Sequence, residues 1–315
     1  MSTFFSGEIF KKLNKNNRID KVNDKTYLKI VYLGKVRKFL RLKNPKTYSE
    51  KLQWLKLNDH NPLYTTLVDK YELKKWVDEK IGKGHTVKTL GLYNNVGEID
   101  LDRLPNQFVL KCTHNSGGLV ICKDKQKKMF YTKHNEPIEW AVALDGLKES
   151  LNFNYYYYGR EWPYKNVPPR IIAEEYLVQN HENKEETLSD YKYFCFNGEP
   201  KIMYISKDSD TLPHTDFFDM DFNHLNIKIV DENSSVLPEK PKKFDEMKEF
   251  AAKLSQGIPH VRVDFYCLND TVYVGELTFY HGSGFITITP DKWNYEIGSW
   301  IDCNLAYNRQ NKEEK

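Results

Sequence analysis

The sequence has no apolar stretch long enough to cross a bilayer, and its first residues, MSTFFSGEIFKKLNKNN, lack the apolar core that directs secretion. A cytoplasmic protein is therefore expected. Cysteine is scarce: Cys112, Cys122, Cys195, Cys267 and Cys303 are odd in number, widely scattered and form no CxxC. That excludes a zinc ribbon or a disulfide frame and fits small, reduced core thiols. Excess charge is also lacking, since a net +3 is too small to imply nucleic acid as a partner. Neither GxxxxGK[ST] nor a Rossmann glycine fingerprint occurs, which excludes two common nucleotide cradles. There is no internal repeat, and no biased segment beyond the run Tyr155 to Tyr158, which reads as packing or a binding wall. What remains is ordinary globular material, 40% hydrophobic and 14% aromatic. The 315 residues suffice for two core-sized units.

The chain divides by texture. Residues 1 to about 65 are basic and helix-like, with KVRKFLRLKN followed by TYSEKLQWLKL. Thr47 and Glu50 have the spacing of a capping box, and Leu52, Trp54 and Leu55 follow as a short apolar face. This region is either a scaffold with a solvated basic side or a surface that approaches anionic lipid or a polyanionic glycan. TLVDKYELKKWVDEKIG, 66–82, predicts one helix with Leu67, Leu73, Trp76, Val77 and Ile81 on its apolar face and Gly82 as its stop. From about residue 106 the pattern turns to strands: FVLKC, LVICK, RIIAEEYLV, DYKYFCF and PKIMYIS. Asn197-Gly198 between the last two predicts a hairpin, because both residues tolerate positive φ. FDEMKEFAAKLSQGI predicts a helix with Phe244, Met247, Phe250, Ala251 and Leu254 inward and Gly257 at its end. VRVDFYCL and TVYVGELTF predict a final strand pair.

Three constellations carry chemistry. In the first, Lys111 leads into the loop Thr113-His114-Asn115-Ser116-Gly117-Gly118, whose glycines are expected to take positive φ and let backbone N–H groups approach a polyphosphate. His114 is placed for contact rather than catalysis. In the second, Asp264 and Glu276 lie on adjacent strands and could share Mg²⁺ through hard oxygens. Side chains alternate, so register decides. A three-residue turn at Asn269-Asp270-Thr271 sets the two acids opposite each other; a two-residue turn sends them to opposite faces. In the third, Glu174-Glu175-Tyr176-Leu177 ends a buried strand and can offer a carboxylate and backbone groups to an adenine or a ribose.

The order of these features resembles the ATP-grasp superfamily, and most closely the TupA-like group associated with bacterial surface polysaccharides. The markers are NPKTYSEKLQWLK, VDKYELKKWVDEKIG, LPNQFVLKCTHNSGG, PRIIAEEYL, DYKYFCFNGEPKIMYI, VRVDFY and GELTFYHGSG, spread from about Asn44 to Trp300. The resemblance implies an α+β fold in which two lobes with antiparallel sheets grip ATP, a small lobe of about 106–175 and a large lobe of about 176–305. Together these form an ATP-grasp domain at 66–315 after the helical region. It implies that Lys70 and Lys111 contact ATP phosphates and that 113–118 closes over them. Glu174 to Leu177 would hold adenine and ribose. Lys192 and Arg262 would face the γ-phosphate or an acyl phosphate, and Asp264 and Glu276 would bind Mg²⁺. Where many members carry an Asn ligand this chain has Thr278. His281, before Gly282-Ser283-Gly284, is either a proton carrier or a hydrogen-bonded loop histidine.

The implied activity is an ATP-dependent carboxylate–amine ligase, with a small-molecule or lipid-linked glycan and an amine or amino acid as partners, and with peripheral contact at the inner membrane face. Two alternatives accompany it: a kinase that phosphorylates a glycan hydroxyl, and a glycosyltransferase, for which Asp208-Ser-Asp210 and Asp219-Met-Asp221 have the spelling of a DxD motif.

Overall fold

The computed structural model describes residues 22–177, 179–181, 184–186, 189–207, 214–229 and 231–307. The described residues open with α1 (Asp24–Val36), capped by the Asn23 side chain on Thr26 N–H, and α2 (Tyr48–Asn58), which starts with the expected capping box. Two short helices follow, α3 (Leu63–Val68) and α4 (Glu72–Ile81), where the periodicity predicts one. The break has a local cause. Asp69 Oδ1 accepts the backbone N–H groups of Tyr71 and Glu72, so the carboxylate begins a new helix where the old one would have continued. Gly82 ends α4 at φ +94°, as expected.

The first sheet has the order β1 (Thr89–Tyr93), β6 (Ile171–Glu175), β2 (Phe108–Cys112), β3 (Leu119–Asp124), β4 (Met129–Tyr131) and β5 (Pro137–Ile138). Strand β1 lies upstream of the lobe expected from about 106, and its half-buried TLGLY has no alternation to reveal it. Phe108, Leu110 and Cys112 alternate onto one face and pack with Ala143 and Leu147 of α5 (Trp140–Leu151). The short helix α6 (Tyr156–Gly159) carries most of the tyrosine run, which packs: Tyr156 hydroxyl bonds Asp24, and the Tyr158 carbonyl accepts from Tyr27. A two-stranded ribbon, β7 (Gln179–His181) and β8 (Lys184–Glu186), stands apart from both sheets.

The second sheet has the order β12 (His224–Leu225), β11 (His214–Asp219), β10 (Glu199–Lys207), β9 (Asp190–Phe196), β13 (Val261–Leu268) and β14 (Thr271–Thr278). Every pairing in both sheets is antiparallel. Asn197 (φ +49°) and Gly198 (φ +84°) form the expected hairpin turn. One face packs on α7 (Phe244–Ser255), whose five predicted apolar residues are all buried. The Tyr193 hydroxyl bonds the Phe244 carbonyl at the start of that helix. Tyr48, Leu52 and Leu55 of α2 share this sheet's core, and α2 also packs on α8 (Lys292–Trp300). Cys112, Cys122 and Cys195 are buried and all five thiols are free; burial pushes the Cys195 thiol up to about 12.

Candidate active site

The second sheet gathers its charge on the face away from α7. Direct cross-strand partners run Tyr204, Lys192, Asp264, Glu276 across β10, β9, β13 and β14. The next row brings Arg262 beside Thr278. Arg262 Nε and Nη2 donate to the two Asp264 oxygens at 2.6 and 2.7 Å, and Lys192 Nζ donates to Asp264 Oδ2 at 3.0 Å. Burial alone would raise the Asp264 pKa, but Arg262 and Lys192 hold it below the usual carboxylate value. Lys192 also pairs with Asp190 at 3.0 Å, and Arg262 Nη2 reaches Glu276 at 3.3 Å.

The register behind this row differs from expectation. The turn has two residues, Asn269 (φ +49°) and Asp270 (φ +60°), with Leu268 paired to Thr271. Such a turn by itself would separate the acids. A bulge restores them: Phe265 pairs with Val274 and Asp264 with Glu276, so Gly275 is the extra residue. A Cβ on Gly275 would lie 2.6 Å from the Tyr266 ring, so the bulge is built around a missing side chain.

The first sheet supplies a second charged group. Lys111 on β2 and Glu174 on β6 share a face, and Lys111 Nζ lies 2.9 Å from Glu174 Oε2. Lys74 of α4 holds the other oxygen at 2.5 Å. Burial pushes the Glu174 carboxyl up, while Lys111 and Lys74 together bring it below its ordinary value. Lys74 went unread in the sequence, where it is one lysine among several on a solvated-looking helix. Glu175 is exposed at the strand end, with Tyr176 and Leu177 half-buried after it. Lys70 sits at the helix break. Its N–H donates to the Thr113 carbonyl at 3.1 Å and its Nζ to the Asn115 carbonyl at 2.5 Å, which ties the break to the loop. Burial lowers the Lys70 pKa, and the charge of Glu276 on the other sheet opposes that fall.

In the loop itself, Ser116 and Gly117 are exposed, while His114 and Asn115 are buried against the Ser150 carbonyl. Only one glycine takes positive φ, Gly118 at +61°; Gly117 does not, and its N–H is already donated to Asn115 Oδ1 at 3.0 Å. A Cβ on Gly118 would lie 2.6 Å from both Cys112 Sγ and Ser150 Oγ, so glycine is required there on two counts.

The match that decides the family spans residues 50–302 and is to the TupA-like ATPgrasp model. The chain belongs to the TupA-like ATP-grasp family. Its two antiparallel sheets are those of the ATP-grasp fold, and ATP is accordingly its cofactor. No curated protein matches it. Similar solved structures include D-alanine–D-alanine ligase from Helicobacter pylori at TM-score 0.44 and 14% identity, over 82% of this chain and 68% of that one. The Bacillus anthracis enzyme complexed with ATP gives 0.45 and 15%, over 82% and 72%. N5-carboxyaminoimidazole ribonucleotide synthetase from Thermus thermophilus gives 0.35 and 9%, over 68% and 45%.

The residues of this ATP-grasp chain fit a hard divalent cation. Asp264 and Glu276 are adjacent carboxylates on one face, and the Glu276 side chain is 45% exposed. Among the described residues no group of three or more His, Cys, Asp or Glu closes a cage, so the remaining oxygens would come from nucleotide phosphates. Thr278 is already engaged, donating to Glu276 at 2.9 Å and accepting from Arg262 at 3.0 Å. It reads as a spacer between those two charges rather than a free ligand. His281 Nδ1 lies 2.5 Å from Arg262 Nη1 and accepts from it. Burial and then Arg262 hold the imidazole neutral, well below its ordinary pKa, which suits orienting Arg262 and fits the hydrogen-bonded histidine of the two readings.

Beyond His281 the chain turns through three left-handed residues, Gly282 (φ +54°), Ser283 (φ +54°) and Gly284 (φ +63°). The turn is clamped from the N-terminal region. Lys56 of α2, only 2% exposed, donates to the carbonyls of Gly159 and Ser283, both at 2.7 Å, and to Ser283 Oγ at 3.1 Å. Buried Glu161 hydrogen-bonds Ser283 from the other side. Burial brings the Lys56 pKa down to about 7 and raises that of Glu161. Lys56 ends the marker NPKTYSEKLQWLK, but nothing in that segment or around Glu161 signals that the two meet at Ser283.

For the DxD spellings, Asp208 and Asp210 lie outside the described residues. Asp219 spends its carboxylate on a turn, accepting from Asp221 N–H at 3.0 Å and Asn223 N–H at 2.8 Å.

Proposed function

We propose that this ATP-grasp chain is a ligase that joins a carboxylate to an amine through an acyl phosphate, and that the carboxylate or the amine belongs to a uronic acid or an amino acid of a capsule or cell-wall polymer. The observation that carries the reading is the row Lys192, Asp264, Glu276 with Arg262 beside it, on the face of the second sheet away from α7. Bound MgATP would supply the phosphoryl group that makes the carboxylate reactive.

The residues divide that work. Asp264 and Glu276 would hold Mg²⁺. Lys70 and Lys111 would meet the phosphates, with Ser116, Gly117 and Gly118 of the loop over them and His114 packed behind. Glu174 keeps Lys111 and Lys74 in place, so their side-chain entropy is already spent before a nucleotide arrives. Glu175, Tyr176 and Leu177 would receive the adenine and ribose. Arg262 and Lys192 would neutralise the charge on the transferring group, a contribution made by position and charge rather than by bond-making. The left-handed turn 282–284 would line the acceptor side. A lipid-linked glycan as acceptor places the enzyme at the inner face of the membrane.

The test is thermal stability with MgATP, MgGTP and a UDP-sugar, followed by ADP release with uronic acids and amino acids. MgATP should raise the melting temperature of the wild type and not of Lys111→Ala. Full ATP turnover by Lys111→Ala or Glu276→Ala, or stabilisation by the UDP-sugar alone, would refute the proposal. Phosphate recovered on the glycan rather than free would identify a kinase instead.

A further inference from the structure

We infer that the face formed by α1 and the segment 37–46 is a docking surface for an anionic lipid bilayer. An open groove of 870 Å³ runs between these two pieces. Five cations line it, Lys25, Lys29, Arg41, Lys43 and Lys46, and its remaining lining residues are uncharged. Three acids among the described residues stand nearby, and each is held: Glu50 accepts the Lys46 N–H at 3.0 Å and caps α2. Asp24 bonds the Tyr156 hydroxyl at 2.7 Å and lies 3.4 Å from Arg160, and Asp291 pairs with Lys38 at 3.0 Å.

The same face exposes large apolar side chains that a soluble scaffold would not need. Phe39 is 79% exposed, Ile30 64% and Leu33 43%. On α1, Lys25, Lys29 and Leu33 stand four residues apart in one row, and Ile30 is the neighbour of Leu33 three residues back. Leu28, Tyr32 and Val36 form the adjacent row and are buried, as is Tyr27. The outer face of α1 is thus apolar residues flanked by lysines, and Phe39 projects from the segment that carries Arg41 and Lys43. A phosphate group in solution would engage the cations but leave Phe39, Ile30 and Leu33 in water. A bilayer with anionic headgroups satisfies both, with rings and aliphatic groups at the acyl boundary and ammonium groups at the phosphates.

The buried side of the same helix touches the catalytic unit. Tyr27, Leu28, Tyr32, Val36 and Leu40 form one cluster with Phe285, the residue after the left-handed turn. Docking through the outer face would therefore hold the acceptor side of the site close to the membrane. That last statement rests on the proposed lipid-linked acceptor; the docking surface does not.

Co-sedimentation of the full chain with vesicles tests it. Binding is expected to phosphatidylcholine vesicles containing phosphatidylglycerol, to weaken with salt, and to be absent with pure phosphatidylcholine. Phe39→Ser should reduce the partition coefficient by roughly tenfold or more. Lys25→Glu with Lys29→Glu should reduce it by at least about fivefold per charge. Each variant should keep the wild-type melting temperature, since the replaced side chains are exposed. Lys111→Ala should bind vesicles as the wild type does, which separates this surface from the nucleotide site. Equal binding to both vesicle types, unchanged binding by Phe39→Ser, or binding of inorganic pyrophosphate with no vesicle binding would overturn the inference.

Discussion

Lys56 offers the sharpest test of how the N-terminal helices serve the site. Its ammonium is buried among two carbonyls and a hydroxyl, 4.5 Å from the centre of the Phe285 ring, with the Glu161 charge acting across Ser283. Lys56→Met keeps the length of the stem and removes the charge and all three donors. It strands the carbonyls of Gly159 and Ser283 and leaves Glu161 without its opposing charge. Removing one member of a buried charged pair costs on the order of 3–5 kcal/mol. Against a domain stability of about 5–15 kcal/mol that is a large fraction. The deficit should also depend on pH. Glu161 already has a raised pKa, and losing Lys56 raises it further. A group with a raised folded-state pKa contributes stability below its unfolded pKa and loses it as pH rises through the folded value. The variant should therefore lie closest to wild type on the acid side of neutrality. Urea unfolding of Lys56→Met, Glu161→Gln and the double variant forms a cycle, in which the double should cost less than the sum of the singles by about 1 kcal/mol or more. Additive singles, or a Lys56→Met cost under about 1 kcal/mol, would show that the two residues do not act as a unit and that the turn is held by other contacts.

His260 makes a second pH-dependent prediction. It is buried between the Tyr48 hydroxyl at 2.9 Å and the Cys195 carbonyl at 3.0 Å, and burial drives its pKa from 6.5 down to about 3. The unfolded state then binds the extra proton below pH 6.5, so stability must fall as pH falls, by about 1.4 kcal/mol between pH 8 and 5.5. His260→Asn should lack that increment in urea titrations; parallel curves for the two proteins would refute the assignment. Gly275→Val adds a side chain where a Cβ would lie 2.6 Å from the Tyr266 ring, which disfavours the bulge; regular register then pairs residue 275 with Asp264 and turns Glu276 and Thr278 to the other face. MgATP stabilisation should disappear while circular dichroism still reports the sheet, and retained Mg²⁺-dependent turnover would contradict the shared site. Gly118→Val combines positive φ with contacts of 2.6 Å to Cys112 and Ser150 and should cost about 2 kcal/mol in stability, read as a lower melting temperature.

Local chemistry was legible in the order of the residues. The capping box at Thr47 and Glu50, the Asn197-Gly198 turn and the buried face of α7 are all read from neighbours a few positions apart, and all are present. The loop between β2 and β3 was legible as a glycine turn at Gly118, but Gly117 does not share its positive φ. The motif set also identified the family, since conserved chemistry leaves residue types in a fixed order even when no single match is specific. Tertiary structure decided the rest. Whether Asp264 faces Glu276 depends on hydrogen-bond register along the whole strand pair, and one unpaired glycine reversed what the turn length implied. The helix break that delivers Lys70 to the loop is sealed by Thr113, which lies far along the chain. Lys74 and Glu174, Lys56 and Ser283, and Arg262 and His281 are partners only because packing brings them together. A side chain's pKa and role follow from who surrounds it in a low-dielectric interior, and that company is assembled by the fold.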